Sequence, residues 1–576
     1  MQLIKLSSDH DSFHTVPFHN GVNIIIGKKS NPLAKNDGNT FNGVGKSLIV
    51  HLLHFCLCSN KIPALESALP DWLFTLQFSA SGSTHTISRN TSKQNIIIYD
   101  EIEYSLTEAR SKLISHVLNS SDLCSVLSFQ ALLYKFIRRY RSSYIRYYDS
   151  HGKHSDDYQN LLYNGALLGL NTELIINKKK LKEEQDALKK TEKAFKMDPI
   201  FKQYYLGRDD AQMDADDLEY SISKLEQALD SFKVSSIYHE IEEQANSISH
   251  RKKELENQIA ILENNEANIN AALQIHTDFS IKYVEKMYET ASIEIPQMIK
   301  KSLAEVEAFH LKLLKTRNLR LSEELRKNKA SLNLKKQEVA KIGAEMDRLF
   351  SYLSSHGALE EYAALNRQLS DFQLQLSHIR EYQNLLKSFQ AKISEIKEQM
   401  IFENRDTDTY LNEVEPFIQE LRHNYSKMTR LFYPKKKSVL LITNNIGDNK
   451  QRFNIDARIE DDSSDGVNEV KVFCFDMLLL MQQVSNFQFV FHDSRLFANM
   501  DPRQRATLYR IAYDVCHEYG FQYISSINDD ALESIRNSMD DEEYQTILRD
   551  NIILTLKDDS PDSKLLGIQV DMDLES

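Results

Sequence analysis

A glycine-rich motif near the N-terminus restricts the fold more than any other part of the chain. Its residues are Asn42, Gly43, Val44, Gly45, Lys46 and Ser47. Glycines let backbone N–H groups approach an anion, a helix N-terminus adds a favourable dipole, lysine reaches phosphates and serine holds Mg²⁺. Apolar residues 48–53 follow at once. The motif therefore predicts a phosphate-binding loop that leads into a helix, with Ser47 as a Mg²⁺ ligand.

The start of this loop departs from the usual pattern. A glycine is expected five residues before Gly45, and Thr40 stands there. Gly27, further upstream, directly follows the strand-like run 22–26, so residues 28–41 are interpreted as an insertion inside the loop. A simple glycine-rich turn is the alternative, but the strand before and the helix after are the context that the motif requires.

Length and composition set the broad class. The chain has 576 residues, which at about 150 residues per domain suggests three or four units. Its net charge of −13 excludes a basic nucleic-acid coat, so any nucleic-acid site must be a local patch. Only 16 glycines and 10 prolines, with 27% charged residues, favour long helices.

Cysteine usage and hydropathy indicate the compartment. The five cysteines form no CxxC pair, which predicts a reduced, intracellular protein without disulfides or zinc; Cys56 and Cys58 lie in an apolar run and are expected in the core. No stretch approaches the roughly 20 apolar residues of a membrane span, and the N-terminus does not resemble a signal peptide. We expect a cytoplasmic protein with no membrane partner.

Both ends of the chain carry mixed strand and helix patterns. In the first region, 1–170, helices are expected from Lys46 and near Ser121, and the strand candidates are 3–6, 22–26, 72–78, 85–89 and 95–99. In the last region, 416–576, a helix is expected at 501–519, and the strand candidates are 438–443, 452–459, 487–492, 522–526, 552–556 and 566–570. These patterns predict an α/β fold at each end.

The middle region, 171–415, is polar and has heptad spacing. Apolar residues recur every seven positions in two tracts, namely Ile241, Ile248, Leu255, Leu262 and Ile269, and then Leu365, Phe372, Ile379, Leu386, Ile393 and Met400. Two such tracts predict antiparallel coiled-coil arms on the order of 100 Å long. A compact helical bundle is the alternative. Pro199, Gly207, Pro296 and residues 354–357 are predicted breaks, and the position of the hairpin tip stays open.

The C-terminal region supplies the carboxylate that a phosphate-binding loop requires. Asp493 is the acid at the end of the apolar run 487–492, where a Walker B strand would place its Mg²⁺ ligand. Asp501 follows eight residues later, just before a helix, like the D-loop of ATP-binding cassette (ABC) ATPases. The order of these acids predicts the second half of an ATPase site.

Two weaker motifs fit the same type of site. Ser464 and Gly466, in 462–467, precede an apolar helix and loosely match the ABC signature loop, which contacts ATP bound to the opposite subunit; a simple helix cap is the alternative. Gln130 occupies the place of the Q-loop glutamine that senses Mg²⁺ and the γ-phosphate, or is an ordinary surface residue.

Taken together, these motifs resemble the structural-maintenance-of-chromosomes (SMC) ATPases and their zinc-hook DNA-repair relatives. The resemblance implies an α/β fold: an ABC-type P-loop ATPase head formed from N- and C-terminal lobes, with a long antiparallel coiled-coil insertion. It also implies ATP and Mg²⁺ as cofactors, with Ser47, Gln130 and Asp493 near the metal. Two heads would form a homodimer, with ATP between Lys46 of one head and Ser464 and Gly466 of the other.

The C-terminal half is most similar to a bacterial subgroup, the ATPases of Lamassu-like or ABC three-component defence systems. This similarity is carried by residues 462–467, 472–476, 491–494, 523–528 and 564–568. It implies double-stranded DNA, an effector protein expected to be a nuclease, and a small third subunit as partners.

Two positions depart from the family pattern. Ser494 stands where the catalytic glutamate normally follows the Walker B aspartate, and serine cannot act as a base at neutral pH. Asn528 replaces the switch histidine. Hydrolysis is therefore expected to be slow, or to use His492 or Asp501. An alternative alignment places Asp493 itself at the glutamate position, but it requires a longer insertion before Asp501.

A basic and aromatic stretch, 134–148, is the strongest candidate for nucleic-acid binding. Its basic residues are Lys135, Arg138, Arg139, Arg141 and Arg146. Arginines can neutralise phosphates and tyrosines can stack. A solvated helix face with aromatic core contacts is the alternative, and it is the preferred interpretation for the lysine triplets 178–180 and 435–437.

Three functions fit these observations. The first is a DNA-sensing SMC-like ATPase that restrains an effector in antiphage defence. The second is a DNA-repair or chromosome-organising ATPase, against which the missing glutamate, zinc hook and hinge count. The third is a nucleotide-gated coiled-coil scaffold that does not bind DNA.

Overall fold

The structure, a computed structural model, describes residues 1–29, 43–151, 156–197, 211–230, 236–274, 303–353, 359–461, 464–570 and 572. These residues form two compact units: a head unit from 1–183 and 399–576, and a helical unit from 184–281 and 303–398. Several sequence predictions lie outside the described residues, namely Asn42, most of the insertion 28–41, the breaks at Pro199, Gly207, Pro296 and 354–357, and residues 462 and 463.

The strands all belong to the head unit. Within the described residues they are β1 (Gln2–Ser8), β2 (Val16–Pro17), β3 (Gly21–Lys28), β4 (Leu73–Ala80), β5 (Ser83–Asn90), β6 (Ile96–Tyr99), β7 (Ile102–Ser105), β8 (Ser438–Asn444), β9 (Phe453–Ile459), β10 (Phe489–His492), β11 (Gln522–Asn528) and β12 (Ile552–Lys557). The predicted strands from 3–6 through 552–556 are confirmed to within a few residues.

The predicted strand at 566–570 is wrong. This segment forms a turn in which Gly567 has φ +64°, and a Cβ there would collide with the carbonyl oxygen of Ser12. Leu565 and Leu566 pack into the core, and the Leu565 N–H donates to the carbonyl of Val44 in the phosphate-binding motif, at 3.1 Å. The apolar residues of this segment therefore pack beneath the phosphate-binding motif and do not pair in a sheet.

A parallel sheet joins the two ends of the chain. Its strand order is β10-β11-β3-β12, so β3 from the N-terminal region lies between two C-terminal strands. In β3 only the two terminal residues reach the surface, as expected for a parallel strand covered on both faces. The register places Asn528 and Leu556 beside Gly27. Parallel pairing brings the carboxyl ends of these strands to one edge.

A second, antiparallel sheet has the order β2-β1-β4-β5-β6-β7. Buried and half-buried residues alternate along β4, as in an antiparallel strand with one face on the core. Phe74 of β4 packs edge-on against Phe55, with ring centroids 6.4 Å apart. Arg89 of β5 donates to the carbonyls of Phe55 and Ser59 at 2.7 and 2.8 Å. A cation at this position satisfies carbonyls at the C-terminal end of the Phe55 helix.

Helices make up most of the remaining described structure. They are α1 (Lys46–Cys56), α2 (Pro63–Ala68), α3 (Leu106–Val117), α4 (Ser121–Val126), α5 (Phe129–Phe136), α6 (Asp157–Leu167), α7 (Thr172–Met197), α8 (Ala211–Asp230), α9 (Ser236–Gln274), α10 (Leu303–Leu353), α11 (Leu359–Glu413), α12 (Glu415–Phe432), α13 (Asp465–Met481), α14 (Pro502–Tyr519), α15 (Asp529–Glu533) and α16 (Asp541–Glu543). Helix α1 starts at Lys46 and α14 spans the predicted 501–519. No described helix has the length and apolarity that a bilayer crossing requires.

Helix pairs form the helical unit. Ion pairs Arg251–Glu338, Glu263–Lys336 and Glu266–Lys329 join α9 to α10. Residues further along α9 meet residues earlier in α10, so the two helices run antiparallel. Leu255 and Leu332 are buried, and Asn328 Nδ2 donates to the carbonyl of Leu262 at 2.7 Å. A polar residue at a helix seam of this kind favours one register.

The second heptad tract, in α11, packs against α8. Ala215, Ile222 and Leu376 form a small buried cluster. Arg380 donates to Glu219 at 2.6 Å. Within the described residues, the first heptad tract therefore pairs with α10 and the second packs against α8.

Leu332 of α10 tests the pairing with α9. We expect Leu332→Ala to lower the free energy of unfolding of the helical unit by on the order of 2 kcal/mol, because the substitution leaves a cavity at a packed seam. The measurement is urea unfolding followed by circular dichroism at 222 nm. Leu334→Ala is the matched control, since Leu334 is 68% exposed in the same helix, and it should change the free energy by less than about 0.5 kcal/mol. Equal losses in both variants would contradict the packing described here.

Candidate functional site

The residue before helix α1 is a glycine in a backbone conformation that other residues rarely adopt. Gly45 is the N-cap with φ +103°, in the left-handed region, and a Cβ there would lie 2.5 Å from Leu565 Cβ. Gly43 also has a positive φ, +81°. Both conformations favour glycine. The motif therefore presents backbone N–H groups at the N-terminus of α1, the arrangement that binds phosphate.

Lys46 lies across the end of strand β3. A Cβ at Gly27 would collide with Lys46 Nζ and would lie 3.0 Å from Lys46 Cδ. Gly27 thus makes room for the lysine side chain. Burial lowers the pKa of Lys46, and the nearby carboxylates of Asp493 and Asp530 only partly oppose this effect. A buried lysine at this position is suited to an anionic ligand.

Ser47 and Asp493 meet across the two ends of the chain. Ser47 Oγ donates to Asp493 Oδ2 at 2.8 Å, although the residues are 446 positions apart. The other carboxylate oxygen, Oδ1, accepts a hydrogen bond from Ser526 Oγ. The Asp493 N–H donates to the Tyr144 hydroxyl at 3.0 Å. Asp493 is therefore held at its backbone and at both carboxylate oxygens.

This pair of oxygen ligands fits Mg²⁺ bound together with a nucleotide. Mg²⁺ prefers oxygen ligands and usually keeps waters and substrate phosphates, with only one or two protein ligands. Among the described residues no group of three or more histidine, cysteine or acidic side chains could hold a metal on its own. Ser47 and Asp493 are the residues that could hold Mg²⁺, and the phosphates would complete its coordination.

Gln130 does not lie at this site. It is buried in α5, and its Nε2 donates to the carbonyl of Leu57. Leu57 follows the C-terminal end of α1 and Lys46 begins that helix, so the two ends are about 15 Å apart at 1.5 Å per residue. The prediction that Gln130 senses Mg²⁺ and phosphate is therefore wrong in this conformation, because its amide supports the opposite end of the helix.

His492 does not face the site either. It is fully buried, with Nε2 3.0 Å from Asp476 Oδ2 and Nδ1 3.3 Å from the Tyr523 hydroxyl. Burial lowers the pKa of His492, and Asp476 raises it less than burial lowers it. Because both ring nitrogens contact Asp476 and Tyr523 and the ring has no solvent contact, His492 cannot serve as a substitute base, so this prediction is wrong.

Asp501 acts as a helix cap. Its carboxylate accepts from the Gln504 N–H at 2.7 Å, and Gln504 Oε1 accepts from the Asp501 N–H at 2.9 Å. This capping box fixes the start of α14. The described contacts of the Asp501 carboxylate are thus at the helix, and they do not join it to Ser47 or Asp493.

Ser464 and Gly466 lie at the N-terminus of α13. Ser464 is the N-cap and is exposed, with no hydrogen bond from its side chain to the helix. A Cβ at Gly466 would lie 2.9 Å from the carbonyl oxygen of Asn499. Glu469 accepts from the Asn499 N–H and side-chain amide. The signature-like segment therefore packs against the loop before α14.

Two residues of the predicted DNA patch are buried in the head unit. Arg138 is 1% exposed and donates to Asp476 through Nε and Nη2, at 2.6 and 2.7 Å. Lys135 is 4% exposed and donates to the Tyr148 carbonyl at 3.0 Å. The prediction that these residues contact DNA is wrong, because both side chains are buried and make their hydrogen bonds inside the protein.

The remaining arginines reach the surface to different extents. Arg139 is half-buried, and its Nε donates to His51 Nδ1 at 3.1 Å. Burial and the charge of Arg139 lower the pKa of His51 to about 3, so His51 is the neutral acceptor. Arg141 and Arg146 are exposed. Of the five basic residues of this stretch, Arg141 and Arg146 are the two that are exposed to a partner.

Sequence reasoning missed three residues of the site and its support. Tyr144 and Ser526 hold Asp493, and Asp476 balances the charge of Arg138. A signal existed for Asp476, which is the single acid in the apolar run 472–481, and for Ser526, a hydroxyl inside a buried strand. For Tyr144 the sequence carried no comparable signal.

Comparisons with known proteins give one family match and distant structural matches. A family model described as "Uncharacterised protein conserved in bacteria (DUF2326)" matches residues 428–570. No curated protein matches the chain. The solved Smc head domain with a coiled coil and joint from Pyrococcus yayanosii is similar at 13% identity over 94% of both chains, with a TM-score of 0.34.

A second solved structure is similar to the same extent. It is the Smc head domain with an extended coiled coil, bound to the C-terminal domain of ScpA, from Pyrococcus furiosus, at 11% identity over 95% of this chain and 99% of that chain, with a TM-score of 0.32. TM-scores of this size do not establish a common fold.

Because Lys135 is buried, we expect the difference in stability between the wild type and a Lys135 variant to depend on pH. Burial, and then the charge of Arg138, lower the pKa of Lys135 to about 7. Between pH 7 and 10 the unfolded chain then binds more protons than the folded one, so the contribution of Lys135 to stability rises with pH. The free energy of unfolding of the wild type minus that of Lys135→Met should increase by about 2 kcal/mol from pH 7 to pH 9.

Urea unfolding at both pH values measures this difference. Lys61→Met is the matched control, because Lys61 is exposed, and its difference from the wild type should not change with pH. A pH-independent difference for Lys135→Met would contradict the burial of the Lys135 ammonium group.

Proposed function

We propose that this chain is an SMC-like, ATP-binding protein with an ABC-type P-loop head. The contact that carries the proposal is the 2.8 Å hydrogen bond between Ser47 and Asp493. A loop that binds phosphate and a carboxylate that binds Mg²⁺ must lie together, and here they come from opposite ends of the chain. The positive φ of Gly45 and the position of Lys46 over Gly27 support the same conclusion.

Asp493 takes the role of the Walker B aspartate in this proposal. Its contact with Ser47 supports that role over the alternative in which Asp493 is the catalytic base, because both residues would share one metal ion. Ser494 then occupies the position of the base, and Asn528, beside Gly27, occupies the position of the switch residue. Since His492 and Asp501 have other contacts, we propose an ATP switch with slow hydrolysis.

Head-to-head dimerisation is the second part of the proposal. ATP bound at Lys46 of one head would meet Ser464 and Gly466 of the other. The exposed N-cap Ser464 and the N-terminus of the 17-residue helix α13 support it, since the dipole of a helix N-terminus favours a phosphate group.

DNA binding and a role in antiphage defence are the finer parts of the proposal. Arg141 and Arg146, with Arg139 beside them, support a local double-stranded DNA contact on an acidic protein. The defence role, the effector nuclease and the small third subunit are supported by the similarity of the C-terminal motifs alone.

The burial of two predicted DNA residues favours one alternative function. Because Lys135 and Arg138 are buried, a nucleotide-gated coiled-coil scaffold without DNA binding is the second candidate. The repair or chromosome-organising role stays a third interpretation, and a fast, DNA-stimulated ATPase would favour it.

Nucleotide binding is the first test. Lys46→Ala should weaken MgATP binding by about 10- to 100-fold, the effect of losing a hydrogen bond to a charged group. Isothermal titration calorimetry measures this, and Lys61→Ala, at an exposed lysine, is the matched control. ATP turnover measured beside it should be slow. If Lys46→Ala binds MgATP like the wild type, the proposed phosphate site is wrong.

The DNA contact has its own test. The double variant Arg141→Ala/Arg146→Ala should weaken DNA binding and reduce the slope of log affinity against log salt by about 2, since each phosphate contact contributes about 0.9. Fluorescence anisotropy with duplex DNA at several salt concentrations measures this. Lys435→Ala/Lys437→Ala, at two exposed lysines, is the matched control. Unchanged affinity in the arginine variant would favour the scaffold without DNA binding.

A further inference from the structure

Two serines hold the carboxylate of Asp493 from opposite sides. Ser47, from α1, donates to Oδ2, and Ser526, from β11, donates to Oδ1. Ser47 belongs to the phosphate-binding motif, whereas Ser526 lies in the segment 523–528 and had no role at the site assigned from the sequence. Strand β11 pairs with β10 in parallel, with Ser525 beside His492, so Ser526 lies next to Asp493 by register.

The direction of the Ser526 hydrogen bond follows from its second contact. The Ser494 N–H donates to Ser526 Oγ at 3.1 Å, so this oxygen already accepts one hydrogen bond. An ionised carboxylate only accepts, so the Ser526 hydroxyl hydrogen must point to Asp493. Ser526 is fully buried and Asp493 is 4% exposed, so this hydrogen bond lies away from bulk solvent.

The two serines must behave differently when metal and nucleotide bind. A serine of a phosphate-binding loop ligates Mg²⁺ through its hydroxyl oxygen, so Ser47 would bind the ion through a lone pair, and its hydroxyl hydrogen could still point to Asp493. Ser526 has no path to the metal, because Asp493 lies between them. Its hydrogen bond can therefore stay in place and keep Oδ1 occupied, while Oδ2, which lies 2.8 Å from Ser47 Oγ and 3.9 Å from Arg495 Nε, would face the ion.

We propose that Ser526 is a positioning residue that orients the Asp493 carboxylate for Mg²⁺. This inference rests on the proposed nucleotide site and adds to it the residue that sets the affinity for the metal. Hydrogen-bond partners of metal-ligating carboxylates typically change metal affinity by 10–100-fold. Ser526 also ties the backbone of Ser494 to β11, so the chain directly after Asp493 has a fixed direction.

The test separates metal binding from nucleotide binding. Binding of a fluorescent ATP analogue is measured in EDTA and then as Mg²⁺ is added to wild type, Ser526→Ala and Ser525→Ala. Ser525 is the matched control, because it is equally buried in the same strand and its hydroxyl contacts Tyr509 at 3.0 Å. Ser526→Ala should bind the analogue like the wild type in EDTA but require at least about tenfold more Mg²⁺ for the half-maximal change.

The outcomes distinguish this inference from the proposed function. Equal Mg²⁺ requirements in Ser526→Ala and wild type, with intact analogue binding, would overturn the role of Ser526 and leave the nucleotide site standing. A tenfold higher Mg²⁺ requirement in Ser525→Ala as well would also overturn the role of Ser526, because the effect would then come from any substitution in this strand. No analogue binding by the wild type would overturn both. If Ser526→Ala fails to fold, Ser526→Cys takes its place, because a thiol keeps the volume but is a weak donor.

Discussion

The insertion of β3 between β11 and β12 is the constraint on which the head depends. Parallel pairing places Gly27, the end of β10 and the start of α15 at one edge of the sheet. Only this register brings Ser47 to Asp493 across the two ends of the chain. A slip of one residue would turn every side chain of a strand to the other face and separate the site. The head is therefore assembled only when both ends of the chain are present.

A buried ion pair joins helix α13 to the segment that follows α5. Arg138 and Asp476 are each 1% exposed, and Asp476 also contacts His492 of β10. Burial raises the pKa of Asp476, but Arg138 and His492 more than compensate and keep it below its usual value. Removing one partner of such a pair leaves an uncompensated charge, which typically costs about 3–5 kcal/mol. The pair holds the chain at Arg138 inside the protein. The chain reaches the surface after this point, where Arg141 and Arg146 are exposed.

Periodicity and motif spacing predicted the parts of the fold that local sequence determines. The strand at 22–26 and the helix from Lys46 have apolar runs with clear ends, and both are found. The side-chain contacts were harder to predict. A charged residue such as Arg138 gives no local sign of its buried partner, which lies 338 positions away.

Other errors have the same origin in long-range contacts. The heptad repeat of α11 predicted a helix but not its neighbour α8, because heptads specify a face and not a partner. The apolar run at 566–570 fits a strand, yet the positive φ of Gly567 turns it under the phosphate-binding motif. Local patterns therefore located the elements, while the chemistry of the site depended on which distant elements meet.

The electrostatics of Lys46 indicate what the site binds. Two carboxylates, Asp493 and Asp530, attract the ammonium group, yet its pKa is still lowered because burial outweighs them. An additional negative charge beside the ammonium group would therefore favour its protonated form. An anion at the N-terminus of α1 would stabilise this charge and would also satisfy the helix N–H groups. A ligand that binds only the folded head stabilises it in proportion to RT ln(1 + [L]/Kd). The contacts by which a nucleotide would bind at Lys46 and the N-terminus of α1 would therefore also stabilise the head, which both ends of the chain form.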